Sequence, residues 1–288
     1  MKKALALLMA LVCLLSLAAL AACKPADADA DPTPTEPVTA DPAAPPETTP
    51  DPDGDLAYIL AAGQLTVGIT EYEPMNYYDE TGTLVGFDTE FALAVCAKLG
   101  VTPKFQVIDW DSKEIELKSQ TIDCIWNGLT VDDDRRLNMD FSVSYLRNRQ
   151  VVVVRAADEA RFTDIESFDG VAVVAEQGSA GEGAAQSDLA NTAYTAVSSQ
   201  AAALLEVKSG TADAAVIDFT MARAMTGEGT DYADLLFLDL NLTPEEYAIG
   251  FRLGSDATAR VNAAVSELIA DGTLAALAAK YDLSDLLI

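Results

Sequence analysis

The segment Gly128-Leu129-Thr130-Val131-Asp132-Asp133-Asp134-Arg135 carries the groups best suited to hold an anion. A Gly-x-Thr loop presents backbone N–H groups and one hydroxyl, and Asp132 is placed to cap a short helix that holds Arg135 beside that loop. A planar guanidinium next to N–H donors can form a bidentate pair of hydrogen bonds with a carboxylate. We therefore predict that Gly128, Thr130 and Arg135 bind a carboxylate.

Four residues elsewhere in the chain would complete a site for a small zwitterion. Ser179 begins another helix, where N–H donors and the helix dipole favour an anion. Asp218 supplies the opposite charge and suits an ammonium, while Tyr72 and Trp110 offer aromatic surfaces. An arginine with helix-start donors facing an aspartate matches the α-carboxylate and α-ammonium of an amino acid.

Each of these residues also has a purely structural interpretation. Arg135 follows three aspartates that could pair with it on a solvated helix. A tryptophan after a strand is more often part of the core, and an aspartate after a strand is commonly a helix cap. Their shared position at the ends of strands favours a common site.

Hydrophobic periodicity predicts strands that alternate with helices, which indicates an α/β fold with parallel sheets. The number of elements fits two such units better than one. The strands are predicted at 65–69, 105–108, 122–126, 151–154, 171–174, 194–197, 214–217, 235–240 and 247–251, and the main helices at 87–99, 114–119, 219–225, 257–270 and 274–280. Ligands of open α/β sheets bind beyond the carboxyl ends of the strands. The residues in that position are Tyr72, Trp110, Asn127, Gly128, Thr130, Gln177, Gly178, Ser179 and Asp218.

Composition excludes several classes of function. The 288-residue chain has no histidine, so a Ser-His-Asp triad, a histidine general base and a histidine-ligated zinc site are ruled out. Its net charge of −28 argues against nucleic-acid binding, which depends on clustered lysine and arginine. Cys96 and Cys124 are too few ligands for a metal site, and neither a metal nor a cofactor is expected.

The N-terminus is predicted to be a lipoprotein signal peptide spanning residues 1–22. Two lysines precede an apolar run, and Leu20-Ala21-Ala22-Cys23 resembles the lipobox of bacterial lipoproteins, in which the cysteine is lipidated. The alternative is an uncleaved membrane anchor. Residues 23–56 are predicted to be the lipidated Cys23 and an acidic, proline-rich linker, since residues 24–55 hold nine of the twelve prolines.

Two cysteines remain for the folded part of the chain. Cys96 and Cys124 could form a disulfide outside the cytoplasm. The alternative is that each is a small buried apolar residue, because each lies in an apolar periodic segment.

The ordered motifs resemble the polar amino-acid solute-binding proteins of ABC transporters. They begin with Gly63-Gln64-Leu65-Thr66-Val67-Gly68, Tyr72-Glu73-Pro74-Met75, Gly82 and Gly86-Phe87-Asp88 and end with Asp271-Gly272-Thr273-Leu274. Between these lie Asp109-Trp110-Asp111, Ile122 to Thr130, Arg135, Asp140-Phe141-Ser142, Gln177-Gly178-Ser179, Gly210 to Ala214 and Asp218. The resemblance covers essentially all of residues 57–288.

The resemblance implies the fold of type II periplasmic binding proteins: two Rossmann-like lobes joined by a two-strand hinge. Lobe 1 is expected at 57–147 plus 250–288, and lobe 2 at 150–247. Carried over to this sequence, Arg135 grips the α-carboxylate with Thr130 and the Gly128 backbone, Asp218 takes the α-ammonium, and Ser179 reaches across from lobe 2. The expected partners are a free amino acid and an ABC permease, and the expected form is a monomer anchored by lipid outside the cytoplasm.

Two departures from the family pattern bear on binding. Many relatives have a second hydroxyl where this chain has Ala180, so lobe 2 would grip there through backbone N–H groups alone. Relatives usually cap the Arg135 helix with threonine, whereas here Asp132 adds negative charge near a carboxylate ligand.

Rival functions on the same frame are an enzyme, such as a cyclohexadienyl dehydratase or a lytic transglycosylase, and a ligand sensor. An enzyme needs a carboxylate for proton transfer, for which Glu71, Glu73, Asp109 and Asp111 are candidates by position. The amino acid bound is left open: Glu71 or Asp111 inside the pocket would favour a basic side chain, and otherwise Trp110 and Tyr72 fit a neutral polar or sulfur-containing one.

Overall fold

A computed structural model of the chain describes residues 51–240 and 242–288. The predicted signal peptide at 1–22, the lipidation residue Cys23 and the predicted linker as far as residue 50 lie outside the described residues. Helix α1, Asp55–Ala62, begins inside the predicted linker and buries Leu56 and Ile59. The folded part therefore begins two residues before the predicted boundary at 57.

The described elements follow the predicted alternation of strands and helices. The helices after α1 are α2 Phe87–Leu99, α3 Lys113–Lys118, α4 Asp133–Arg136, α5 Ala180–Ser187, α6 Gln200–Ser209, α7 Phe219–Met225, α8 Ala257–Ala270 and α9 Thr273–Lys280. The strands are β1 Gln64–Ile69, β2 Tyr77–Tyr78, β3 Leu84–Val85, β4 Thr102–Val107, β5 Cys124–Ile125, β6 Met139–Phe141, β7 Leu146–Arg155, β8 Ala172–Glu176, β9 Ala193–Val197, β10 Ala214–Asp218, β11 Leu235–Leu238, β12 Pro244–Tyr247 and β13 Gly250–Arg252. Three 3-10 turns lie at Trp110–Ser112, Ala156–Arg161 and Ile165–Phe168.

The first large sheet has the strand order β4-β1-β5-β13-β6. Strand β1 runs parallel to β4 and β5, whereas β13 is antiparallel to both of its neighbours. Helix α2 covers one face because its apolar side chains recur at helical spacing, with Phe87, Phe91 and Val95 fully buried. The helix ends at Gly100, whose φ of +75° suits glycine.

The second large sheet has the order β11-β7-β10-β8-β9, with β12 paired to the first half of β7. Strands β8, β9 and β10 are parallel, while β7 is antiparallel to β10 and β11. In β7, Val151 and Val153 contact one core cluster and Val152 and Val154 another. Buried apolar residues on both faces of a strand indicate helices on both sides of the sheet.

Two short chain segments connect the sheets, one between β6 and β7 and the other between β12 and β13. Where β7 leaves the first sheet it pairs with β12, from Leu146 opposite Tyr247 to Arg149 opposite Pro244. The C-terminal residues pack beside this pair, since the Arg147 N–H donates to the Leu286 carbonyl at 2.7 Å. The predicted crossings near 147–150 and 246–249 fall at this place.

The α/β class is confirmed, but the predicted all-parallel arrangement is wrong in detail. Both sheets are mixed, because the two connecting segments return antiparallel strands to each. The predicted strand 247–251 is two strands, β12 and β13, separated by Ala248 and Ile249. Both of these residues are fully buried, which explains why the apolar run was continuous in sequence.

Cys96 and Cys124 are free, buried thiols, and burial raises the pKa of Cys96 to about 12.

Within residues 51–240 and 242–288, no single helix is long and apolar enough to cross a membrane. Only helices α8 and α9 taken together reach that length and composition, and they are bent by 77° where they meet.

Candidate ligand-binding site

A small cavity lies where the carboxyl ends of strands from both sheets meet. Its lining comprises Thr70, Tyr72, Trp110, Asn127, Gly128, Thr130, Arg135, Glu176, Ser179, Ala180, Gln200 and Asp218. Of the nine predicted ligand-binding residues, eight are in this lining and Gly178 lies just outside it. The topology gathers them because β1, β4 and β5 of one sheet and β8 and β10 of the other end at this place.

The cavity encloses only about 10 Å³, close to the space of one water molecule. It adjoins a wider cleft of about 750 Å³, with which it shares Thr130, Arg135, Ser179 and Ala180. An amino acid is many times larger than the inner cavity, so its admission requires the two walls to separate.

Arg135 is buried, with 7% of its surface exposed, and four interactions hold it in place. Its backbone N–H donates to Asp132 Oδ1 at 2.7 Å, which confirms the predicted cap. Its Nη1 donates to the Thr130 carbonyl at 2.7 Å and its Nε lies 3.2 Å from Asp132 Oδ2. The local ion pair of the structural interpretation is therefore present, and the guanidinium nevertheless lines the cavity.

Arg135 also connects the two sheets. Its Nη2 donates to the Gly178 carbonyl at 3.3 Å, and Lys113 Nζ donates to the same oxygen at 2.8 Å. Gly178 has a φ of +71°, and its own N–H donates to Glu182 Oε2. The carbonyl of Gly178 thus accepts hydrogen bonds from two cationic donors across the cleft.

Asp218 lies at the end of β10, on the opposite sheet from Arg135. Its Oδ1 accepts hydrogen bonds from Asn148 and Gln150, both at 2.7 Å, and its Oδ2 accepts one from Gln200 at 2.5 Å. Burial raises the pKa of Asp218, and the hydrogen bonds from Gln200 and Gln150 oppose that rise. The three amide donors hold the carboxylate at the cavity wall, where an ammonium could reach it.

The Tyr72 hydroxyl connects the two sheets through hydrogen bonds. Its hydroxyl is 2.5 Å from Thr220 Oγ1 and 2.7 Å from the Tyr247 hydroxyl. Tyr72 follows β1, Thr220 lies in α7 after β10, and Tyr247 ends β12 at the crossing. Burial raises the pKa of Tyr72 well above its usual range, so the hydroxyl is neutral and can serve as donor or acceptor.

Asn127 and Gly128 are bound to other parts of the protein. The Gly128 N–H donates to Asp88 Oδ2 at 2.7 Å, which corrects the expectation that this N–H donates to a ligand. A Cβ on Gly128 would lie 2.7 Å from the Tyr72 ring, and the φ of +57° also favours glycine. Asn127 bonds to Thr70 through both its amide oxygen and its amide nitrogen. Both residues fix the conformation of the loop that contains Thr130.

Thr130, Ser179 and Trp110 also take part in contacts within the protein. The Thr130 hydroxyl donates to Glu245 Oε2 at 3.1 Å. Ser179 Oγ accepts from the Glu182 N–H at 3.0 Å and caps α5, as predicted. Trp110 belongs to a buried apolar cluster, as its structural interpretation predicts, and it also lines the cavity.

Three ionisable residues at the site were missed in the sequence. Burial raises the pKa of Glu176 to about 8 and that of Glu245 to about 7, and lowers the pKa of Lys113 to about 8. Glu176 is the last residue of β8, and the strand-end rule would have found it had the strand been extended beyond residue 174. Glu245 precedes the second crossing between the sheets, and Lys113 begins helix α3. The strand-end rule does not select either residue.

The residues that we considered for proton transfer lie outside the small cavity. Glu71, Asp109 and Asp111 are exposed and Glu73 is half-buried. Only Asp111 reaches the wider cleft, where it accepts a hydrogen bond from Gln177 at 3.0 Å. Among the residues the structure describes, no cluster of three carboxylates or thiols is arranged to hold a metal ion.

The chain matches known proteins over most of its length. The sequence profile of the bacterial extracellular solute-binding proteins, family 3, matches residues 65–284. The L-cystine-binding protein TcyA of Bacillus subtilis is 32% identical and aligns over 80% of this chain and 85% of its own. A crystal structure of an ABC uptake transporter substrate-binding protein from Streptococcus pneumoniae with bound histidine has a TM-score of 0.74 and 29% identity, over 80% of this chain and 97% of that one.

One similar protein is an enzyme. Cyclohexadienyl dehydratase of Pseudomonas aeruginosa is 26% identical over 171 residues, which is 58% of this chain and 64% of the dehydratase. The matched part is shorter than that of the binding proteins. Together with the sheet topology, these comparisons confirm the fold class, which is that of the type II periplasmic binding proteins.

Proposed function

Because the chain belongs to the bacterial extracellular solute-binding proteins of family 3, we propose that it is an extracytoplasmic receptor that binds a free amino acid and delivers it to an ABC importer. The observation that carries this proposal is the pair formed by Arg135 and Asp218, which line one cavity from different sheets. A buried guanidinium suits an α-carboxylate, and a buried carboxylate suits an α-ammonium. The names of similar proteins, which bind cystine or histidine, agree with this ligand class.

The binding step that we propose is closure of two lobes on the ligand. Lobe 1 comprises 57–147 plus 250–288, lobe 2 comprises 150–247, and the β7–β12 pair lies in the hinge. In the described structure, Tyr72 bonds to Thr220 and Arg135 bonds to Gly178 across the cleft. A ligand that touches both walls adds contacts that exist only in the closed form, and so favours that form.

Each predicted residue has a role in this scheme. Arg135 and the Thr130 hydroxyl bind the α-carboxylate, and Asp218 binds the α-ammonium. Ser179 approaches from lobe 2, and Tyr72 and Trp110 flank the ligand side chain. The remaining three residues, Asn127, Gly128 and Gly178, position the loops.

The binding proposal is tested by titration calorimetry of the purified protein against the twenty common amino acids and cystine. We expect at least one to bind with a dissociation constant in the micromolar range or below. Thermal unfolding supplies a second readout, because a ligand at about 100 times its dissociation constant stabilises the folded state by about 2.7 kcal/mol. If no amino acid binds or stabilises at millimolar concentration, the proposal fails.

We further propose that residues 1–22 are removed and that Cys23 carries lipid which anchors a monomer outside the cytoplasm. The support is the lipobox-like Leu20-Ala21-Ala22-Cys23 and the acidic linker that follows it. Mass spectrometry of the membrane-extracted protein should show a diacylated N-terminal cysteine. A protein that begins at Met1 would contradict this proposal.

We propose that the protein performs no catalysis. Asp218 accepts three amide hydrogen bonds, which hold it as a hydrogen-bond acceptor rather than as a free acid. The alternative, a cyclohexadienyl dehydratase, rests on the similar enzyme described above. Incubation with cyclohexadienyl acids distinguishes the two, because dehydration produces an aromatic ring with its own ultraviolet absorbance. We expect no such absorbance beyond the rate without protein.

A further inference from the structure

The carboxylate of Glu176 lines the small cavity with no partner of its own. Glu176 is only 4% exposed, and in the described part of the chain its carboxylate forms no hydrogen bond and no ion pair. Every other charged side chain in the lining has such a partner: Arg135 has Asp132, and Asp218 has three amides. A buried carboxylate without a partner is costly unless a cation reaches it or a proton neutralises it.

The charged groups around Glu176 do not supply that partner. Asp218 on β10 and Asp109 after β4 repel its negative charge, while Lys113 on α3 and Arg135 on α4 attract it from a distance. Lys113 Nζ donates instead to the carbonyls of Trp110 and Gly178. Burial raises the pKa of Glu176 to about 8, so much of it is protonated at neutral pH.

An amino acid with a neutral side chain would leave this group unmatched. Its α-carboxylate pairs with Arg135 and its α-ammonium with Asp218, and no charge remains for Glu176. We propose that Glu176 is the specificity-determining residue of the site and that the ligand is an amino acid with a second cationic nitrogen, which this carboxylate binds. The inference rests on the proposed function and names the chemical class of its substrate.

The entrance to the cavity agrees with a cationic ligand. The wider cleft is lined by six acidic residues, Asp111, Glu114, Asp132, Asp134, Glu182 and Glu245, and by two basic ones, Lys113 and Arg135. A cleft with an excess of one charge raises the local concentration of ligands of opposite charge and speeds their association. This excess of negative charge does little to speed the association of a neutral zwitterion. It speeds the association of a molecule with a net positive charge, to an extent that falls as salt screens the charges.

With Glu176 in this role, the acidic residue that determines the identity of the ligand differs from those that we considered from the sequence. Glu71 and Asp111, the residues we considered from the sequence, are both exposed. Taken alone, that would favour a neutral or sulfur-containing side chain. Glu176 reverses this conclusion because it is inside the cavity. The second cationic nitrogen can come from a guanidinium, from a side-chain ammonium, or from the distal ammonium of a disulfide-linked diamino acid such as cystine.

The first test compares ligands that differ only in that nitrogen. Titration calorimetry pairs arginine with citrulline, lysine with norleucine, and cystine with the mixed disulfide of cysteine and 3-mercaptopropionate, which lacks only the distal ammonium. We expect at least one cationic member to bind about 100-fold tighter than its neutral counterpart, since truncating one side of a buried charge pair costs that much or more. Equal affinities within threefold for all three pairs overturn the inference. Binding of other amino acids, but of none of the three cationic members, also overturns the inference. Failure of all twenty common amino acids and cystine to bind overturns the proposed function instead.

The second test changes the protein. In Glu176→Gln the preference for the cationic member should fall to tenfold or less, while the neutral member should bind as well as before or better. Glu176→Asp keeps the charge and should retain more of the preference than Glu176→Gln. Glu166→Gln removes an exposed carboxylate of the same type and should leave all affinities unchanged. An unchanged preference in folded Glu176→Gln contradicts the assignment.

A proton count gives a readout that a purely structural role would not change. Binding of a cation next to Glu176 should release protons at pH 7, because it stabilises the ionised carboxylate. Calorimetry in phosphate and in Tris, which differ in ionisation enthalpy, measures this release. We expect Glu176→Gln to release fewer protons than the wild type with the cationic ligand and an equal number with the neutral one. The same release from both proteins overturns the inference.

Discussion

Arg135→Ala should abolish high-affinity binding, and the structure gives the expected magnitude. Arg135 is buried and already aligned by Asp132 and Thr130, so its fork is presented to a ligand with little further loss of side-chain freedom. A bidentate pair contributes two hydrogen bonds to a charged group, each of about 1.5–3 kcal/mol. The loss is therefore about 3–6 kcal/mol, or roughly 10²- to 10⁴-fold in dissociation constant.

The neighbouring arginine supplies a matched control. Arg136 is exposed, with its guanidinium 5.6 Å from the centre of the Phe141 ring. Arg136→Ala removes the same charge one residue away and should change affinity by less than threefold. Arg135→Lys retains the charge but not the planar fork, so its affinity should lie between those of the wild type and Arg135→Ala.

The assay is titration calorimetry with the best amino acid found and with its α-amide, which lacks the carboxylate. The amide should bind the wild type weakly, and Arg135→Ala should weaken it little further. This cycle isolates the interaction between the guanidinium and the carboxylate from general damage to the site. Arg135 is not the carboxylate-binding residue if Arg135→Ala binds the amino acid within fivefold of the wild type, or if the acid and the amide lose affinity equally.

Three further predictions follow from the site. Asp218→Asn should weaken amino-acid binding at least about 100-fold in calorimetry, because the ammonium loses its counter-charge; an unchanged affinity would remove Asp218 from the site. Tyr72→Phe loses two hydrogen bonds between the sheets and should lower the free energy of unfolding by about 1–3 kcal/mol, whereas exposed Tyr58→Phe should not. The pKa of Glu176 is raised on folding, so the stability it contributes is present below its unfolded pKa of about 4.5 and is lost as pH rises through about 8. Chemical denaturation between pH 5 and 8 measures this effect as a change in the free energy of unfolding. In the wild type, Glu176 should lower that free energy by up to about 1.4 kcal/mol per pH unit. Glu176→Gln should remove this decrease, while Glu166→Gln should follow the wild type.

The local elements were predictable because their signals are local. Helix α2 has apolar residues at every turn and ends at a glycine, and its predicted and observed bounds are the same. The cap of α4 by Asp132 depends only on residues three apart. The rule that ligands bind beyond strand ends then selected nine residues, seven of which line one cavity, although the strands come from two sheets.

What the sequence could not show depends on contacts between distant segments. Glu245 is 115 residues from Thr130, and Thr220 is 148 residues from Tyr72, so no spacing indicates that these side chains meet. The direction of a backbone N–H is also set by tertiary contacts. The Gly128 N–H donates to Asp88, which is 40 residues away in the sequence and also accepts from the Tyr145 hydroxyl.

Glu176 illustrates how a small error in a boundary hides a functional residue. Ending β8 at residue 174 moved the search to Gln177, Gly178 and Ser179 and passed over the last residue of the strand. A carboxylate in an otherwise apolar strand, Ala172 to Glu176, is itself a signal, because buried strands seldom carry a charge without a partner. That signal is local and could have been used.

In the complex that we propose, one amino acid lies between Arg135 of one lobe and Asp218 of the other. A crystal structure of the protein grown with the tightest-binding amino acid from the calorimetric panel would show this arrangement. We expect an α-carboxylate oxygen within about 3 Å of the Arg135 guanidinium and the α-ammonium within about 3 Å of Asp218. A ligand bound with its carboxylate away from Arg135, or outside the cavity between the two sheets, would contradict it.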